Sequence, residues 1–136
     1  MAGDFATSGL TNASLVETRA GDVAKASDEA LRSIVRGSDA AIFAASASPS
    51  GGTPQEVDKA GLVKVAAACV AENVKRLVIV SSGSVSKPLS PVYVFLNFFG
   101  GVMRAKIEGE DAVRAMYVAR DGGDYVGVGD VHGAHR

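Results

Sequence analysis

The 136-residue chain has no tryptophan, one cysteine, two histidines and four prolines. The lone Cys69 excludes an intramolecular disulfide, and His132 and His135 sit in the tail with no further ligands around them. A reducing compartment and no structural metal are the expectation. Aromatic residues make up only 6%, too few for an aromatic-rich binding module and suited to an α/β domain packed with Ala, Val and Gly. An excess of one charge is missing as well: 14 basic residues stand against 15 acidic ones, and no stretch concentrates Lys and Arg. That argues against nucleic acid as a partner. The longest apolar stretch, Leu89 to Met103, is interrupted by Pro91, Asn97 and Gly100-Gly101. It falls short of the roughly 20 residues that span a bilayer. Met1 to Thr11 carry neither a basic region before an apolar core nor an Arg-rich amphipathic pattern, so no targeting peptide is read there.

With 47% hydrophobic residues, this length suits one globular domain with one core. Ala13 to Arg19 read as a short strand leading into a turn at Ala20-Gly21-Asp22-Val23. A helix follows over Asp28 to Arg36. Ser27 is its N-cap, Asp28 and Glu29 suit the positive end of its dipole, Ala30, Leu31, Ile34 and Val35 form its apolar face, and Gly37 stops it. Ala40 to Ala45 form an unbroken apolar run, the pattern of a central strand covered on both faces.

Ser46 to Thr53 is a loop of small residues, and Pro54 suits the first turn of a helix. Val57, Gly61, Val65 and Ala68, with Leu62, Ala66 and Cys69 beside them, carry that helix to about Asn73. Arg76 to Ser82 is a second buried strand with a polar tip. Val92 to Ala119 reads as two helical pieces hinged near Gly100-Gly101, and Tyr125 to Val128 as one more strand. This alternation predicts an α/β fold with a parallel sheet in a three-layer arrangement. The strands Ala40–Ala45, Arg76–Ser82 and Tyr125–Val128 should be adjacent and parallel, their serine-bearing ends along one edge. Ligands of such folds bind at that carboxyl edge.

Four stretches carry a resemblance: Gly21-Asp22-Val23 with Asp28-Glu29-Ala30-Leu31; Gly37 through Ala45; Val57-Asp58-Lys59-Ala60-Gly61 through Val74-Lys75-Arg76-Leu77-Val78-Ile79-Val80-Ser81-Ser82; and Ala105 through Arg114. In order and spacing they resemble the atypical short-chain dehydrogenase/reductase group with NmrA-like NAD(P)-binding domains, particularly the plastid proteins associated with membrane complexes. The resemblance implies a plastid location and NAD or NADP as cofactor. It places Asp22 against the adenine, Ala44 and Ala45 under the ribose and pyrophosphate, Ser81 and Ser82 facing the nicotinamide, and Lys106 at the cofactor ribose. Each residue has a plainer alternative. Asp22 can cap a turn, the alanines can serve helix–sheet packing, Lys106 can be a solvated helix lysine, and Cys69 reads as a small core residue.

The departures from the pattern shape the functional expectation. The resembled proteins begin with a strand and a glycine-rich turn that hold the pyrophosphate, and nothing before Ala13 reads as that unit. Gly127-Val128-Gly129 with Gly133 leaves no room before Arg136 for a helix, so the fold expected is a partial Rossmann-like sheet flanked by helices, lacking its first strand and glycine loop. Residues 1–12 read as a flexible segment, 13–129 as the domain and 130–136 as a tail. Active reductases of the resembled group pair a Tyr and a Lys one helical turn apart. Here Tyr93 is followed four residues on by Asn97, and Lys106 is preceded four residues back by Val102. No catalytic residue and no metal ligand is assigned. The reading is an NAD(P)-binding domain derivative, non-catalytic or redox-sensing, with weak or absent cofactor binding. The alternatives are a structural subunit of a larger, membrane-associated complex, contacting its partner through Pro91–Met103 with Tyr93, Phe95, Phe98 and Phe99, or a gene fragment without independent activity.

Overall fold

The ends of the first helix follow from side-chain chemistry. In α1, Asp28–Val35, Ser27 in extended conformation accepts a hydrogen bond from the Ala30 amide at 3.2 Å, and Gly37 at φ +77° ends the helix in the left-handed region that favours glycine. Leu31 and Val35 are buried, while Ile34 turns outward and is 43% exposed, so the apolar face is narrower than the sequence suggests. The computed structural model describes residues 16–49, 51–82, 91–98, 101–119 and 124–128.

Three strands form one parallel sheet in the order β1 (Ala40–Phe43), β2 (Arg76–Val80), β3 (Asp124–Val128). Ala40 pairs with Arg76 and Phe43 with Ile79, and Arg76 through Val80 pair in turn with Asp124 through Val128. The adjacency and direction expected of the three strands are thus observed. The ladder stops at Phe43 and Val80, short of the expected Ala45 and Ser82, which leaves Ala44, Ala45, Ser81 and Ser82 just beyond the paired carboxyl ends.

The expected first strand is not seen: residues 16–20 form no ladder, and Val16 is 45% exposed. A strand exists only through pairing, and this segment pairs with no strand among the described residues. Ala13 to Leu15 lie outside them.

Helices α2 (Leu62–Ala71) and α4 (Val102–Ala119) cover one face of the sheet, and α1 packs on α2. Leu31, Val35, Phe43, Leu62, Ala66, Cys69, Val74, Leu77, Ile79, Val113 and Tyr117 form the core between them. Cys69 is fully buried and packs as the expected small core residue. On the opposite face Ile42 is 71% and Val80 47% exposed. Two expectations change here: the described residues make two layers rather than three, and β1 is an edge strand covered on one face rather than a central strand covered on both. Both faces of these strands carry apolar side chains, but the α1–α2–α4 layer supplies cover for only one.

Ahead of α2, Gln55–Gly61 forms a π-helical turn. Its entry is a reciprocal capping box: Glu56 accepts from the Thr53 amide and hydroxyl, each at 2.9 Å, while the Glu56 amide donates to Thr53 Oγ1 at 3.3 Å. Asn73 at φ 61° closes α2, and the Val74 amide donates back to the Cys69 carbonyl at 2.8 Å. Helix α3 (Pro91–Phe98) precedes α4, with the expected hinge between them. Asn97 makes the joint: its carbonyl accepts from the Gly101 amide and its side chain from the Arg104 amide at 3.3 Å. No described helix is long and apolar enough to cross a membrane.

Candidate functional site

Parallel strands carry their backbones to a common carboxyl edge, and here that edge holds small side chains. Ala44 is exposed, and Ala45, Ser81 and Ser82 are half-buried, so a ligand can approach the backbone closely. The chain then turns into the loop 46–53, tied down by one carboxylate. Asp58 on the π-helical turn is 1% exposed. Its Oδ1 accepts from Ser46 Oγ at 2.8 Å and from Lys106 Nζ at 2.6 Å, and its Oδ2 accepts from the Ala47 amide at 2.9 Å. A buried carboxylate needs such donors, because an uncompensated charge out of water is costly.

Lys106 is therefore not the solvated lysine of the plainer reading: its side chain is 13% exposed and paired with Asp58. Helix α4 can bring it there because Gly109, one turn later, lies against the π-helical turn. A Cβ on Gly109 would stand 2.7 Å from the Asp58 carbonyl oxygen. Helix α4 also reaches β2, since Ser81 Oγ donates to Glu110. Helix α4 thereby touches the residue after β2 directly and is linked through Asp58 to the loop after β1.

Asp22 lies in the turn preceding α1. Its Oδ1 accepts from the Ala24 amide at 2.9 Å, which holds its carboxyl below the usual range, and Lys25 Nζ stands 3.4 Å from Oδ2. The turn-capping alternative is the contact observed. Val23 packs against Gly61 and Ala24 approaches Gly52, so this turn sits beside the loop that follows β1. The Glu56 carboxyl is also held low, first by the Thr53 amide. A carboxylate thus occupies the start of the helix that follows Gly51-Gly52.

Sequence reasoning missed Asp58, Gly109 and Glu110 as members of this edge. The available signal for Asp58 was its spacing: an acidic residue on the same helical face as Leu62 and Cys69 must find a buried partner. The expected contact residues of α3 are partly described: Tyr93 is half-buried, while Phe95 and Phe98 are 62% and 85% exposed. Phe99, Gly127–Gly129 as a ligand turn, and the tail histidines lie wholly or partly outside the described residues. Among the described residues no group of three His, Cys, Asp or Glu side chains could hold a metal ion.

The sequence profile of the NAD(P)H-binding family matches residues 6–129. The chain belongs to that family. Over 67 residues it is also 36% identical to "Uncharacterized protein At2g34460, chloroplastic" of Arabidopsis thaliana, an alignment covering 46% of this chain and 24% of that protein. The chain thus spans about a quarter of the relative's length. Small residues at this edge would allow close backbone approach by a nucleotide, and the Lys106 ammonium keeps donors beyond the one given to Asp58, whereas Ser81 and Ser46 spend their hydroxyl protons on Glu110 and Asp58. The helix start after Gly51-Gly52 does not offer an open cradle for a phosphate, because Thr53 and Glu56 satisfy it from within.

Proposed function

We propose that this domain holds NAD or NADP along the carboxyl edge of its sheet and acts as a nucleotide-binding or redox-sensing unit rather than as a reductase. The observation that carries the reading is the meeting of Ala44–Ala45, Ser81–Ser82 and Lys106 along one edge, joined through Asp58 and Glu110 of the flanking helices. In this reading Asp22 lies toward the adenine, Ala44 and Ala45 under the ribose and pyrophosphate, Ser81 and Ser82 toward the nicotinamide, and Lys106 toward the ribose. The ammonium of Lys106 has three donors and spends one on Asp58, which leaves others for sugar hydroxyls. The cofactor, when bound, supplies hydride chemistry or a redox-dependent charge.

The non-catalytic part of the proposal rests on the helices. Tyr93 lies on α3 and Lys106 on α4, on opposite sides of the hinge, and Asn97 is engaged in capping α4. The Tyr and Lys that active reductases set one helical turn apart are thus carried here on different helices. Binding is expected to be weak, since Glu56 occupies the nearby helix start. Losing two charge-assisted phosphate contacts of about 1.5–3 kcal/mol each weakens affinity by roughly 10²–10⁴-fold. Calorimetric titration with NADH and NADPH tests this: saturable binding above micromolar dissociation constants supports the reading, and no binding overturns it. We place the protein in a plastid, on the sequence resemblance and the chloroplastic relative.

A second reading is favoured by α3. Val94, Phe95 and Phe98 are 58%, 62% and 85% exposed on a helix without a charged residue. As a subunit of a larger assembly the domain would present this helix to a protein partner. Phe95→Ser with Phe98→Ser would then release the chain from its complex without changing nucleotide affinity.

A further inference from the structure

We propose that Asp58 is the positioning residue of the nucleotide edge: it sets Lys106 and the loop after β1 together, while touching no cofactor itself. The inference rests on the nucleotide-site reading above and extends it to a residue outside the edge. Asp58 is nearly fully buried, and its three contacts go to two separate parts of that edge. The Ala47 amide and Ser46 hydroxyl fix the backbone that leaves Ala44 and Ala45. The Lys106 contact fixes the ammonium.

The surroundings argue for a purpose beyond stability. A buried ion pair contributes little net stability compared with apolar residues of the same shape. It does impose direction, since Lys106 would otherwise extend along α4 with the conformational freedom of a long side chain. The host segment is a π-helical turn, a distortion that recurs at functional sites. Here the turn brings Asp58 within reach of both strand-tip loop and helix α4. The neighbouring cation Lys59 points elsewhere: its Nζ pairs with Glu108 at 2.6 Å, and Arg104 reaches the same carboxylate at 2.7 Å. Charge at the edge is thus sorted, with Lys106 assigned to Asp58 and Lys59 to Glu108.

The test uses the full chain and two probes, NADH and adenine, in amide-detected NMR titrations of the parent, Asp58→Asn, Lys106→Met and the double variant. Asp58→Asn retains shape and can still accept from Ala47, so it guards against loss of folding. The inference expects NADH affinity to fall about tenfold in Asp58→Asn and by a similar factor in Lys106→Met, the double variant being no worse than either single one. Adenine affinity, which in this reading depends on the Asp22 turn and on neither ribose nor pyrophosphate contacts, should stay within about twofold of the parent. A general structural defect would lower both. Hydrogen exchange at the Ala47 amide should be slow in the parent and modestly faster in Asp58→Asn, whose neutral oxygen accepts more weakly than a carboxylate. Parent-like NADH affinity in Asp58→Asn overturns the positioning role while leaving the nucleotide site standing. A parent chain that binds no NADH overturns the nucleotide-site reading and this inference with it, and the Ala47 amide then reports separately whether the clamp is formed.

Discussion

Replacing Gly109 by alanine sets two effects of known sign against each other. Alanine gains about 1 kcal/mol over glycine in a helix interior. Its Cβ, however, would stand 2.7 Å from the Asp58 carbonyl oxygen, 3.2 Å from Lys59 Cα and 3.3 Å from Leu62 Cδ2. Two of those three atoms are backbone and cannot swing aside, so helix α4 must move off the π-helical turn. Overpacking of this kind costs about 1–3 kcal/mol, and the rigid neighbours place this site at the upper end. The net expectation is destabilisation by about 1–2 kcal/mol. With an unfolding entropy of about 2.1 cal/mol/K per residue, that lowers Tm by roughly 3–7 °C. Thermal unfolding followed by circular dichroism measures it, and Ala115→Gly, at an exposed position of the same helix, calibrates the propensity term. A Gly109→Ala variant that melts at or above the parent would refute the close packing of α4 on Asp58.

The buried pair gives a second expectation: Lys106→Met leaves Asp58 without its countercharge and should cost about 3–5 kcal/mol in urea unfolding, with Asp58→Asn/Lys106→Met less destabilised than the sum of the single variants. Glu72, gripped by Arg36 and Arg32 at 2.9 and 2.8 Å, has its carboxyl lowered from 4.5 to about 2, first by the Arg36 hydrogen bond. A folded value below the unfolded one stabilises above about pH 4.5, and that contribution is lost as pH falls toward 2. The Tm difference between parent and Glu72→Gln should therefore be present at pH 6 and shrink through that window; a difference that is constant with pH would contradict the clamp. No turnover above background is expected with NADH or NADPH against quinones, aldehydes and ketones, and turnover abolished by Tyr93→Phe would show that a Tyr93-centred site operates.

What could be read from the sequence follows from how local each signal is. Ala40–Ala45 and Arg76–Ser82 announced strands because unbroken β-branched and apolar runs have few other uses, and Ser27 and Gly37 marked the ends of α1 because capping is settled within a few residues. The one-sided cover of the sheet was not legible. Ile42 is as apolar as Phe43, and only the position of α1, α2 and α4 decides which of them is buried. The site divides in the same way. Ala44, Ala45, Ser81 and Ser82 could be placed at the strand tips from sequence order alone. Lys106 could not be placed, because its partner lies 48 residues away and nothing in α4 signals Asp58. Asp22 had two readings of equal chemical merit, and the Ala24 contact shows the turn cap without addressing the adenine.

The most direct test of the account is where a nicotinamide dinucleotide perturbs the backbone. Amide shifts on titration with NADH should concentrate at Ala44 to Ala47, at Ser81 and Ser82 and around Lys106, with smaller changes at the Asp22 turn. The outer sheet face at Ile42 and the exposed residues of α3 should stay unchanged. Perturbation confined to α3, or spread without relation to the strand tips, would contradict the assignment of the carboxyl edge as the nucleotide site.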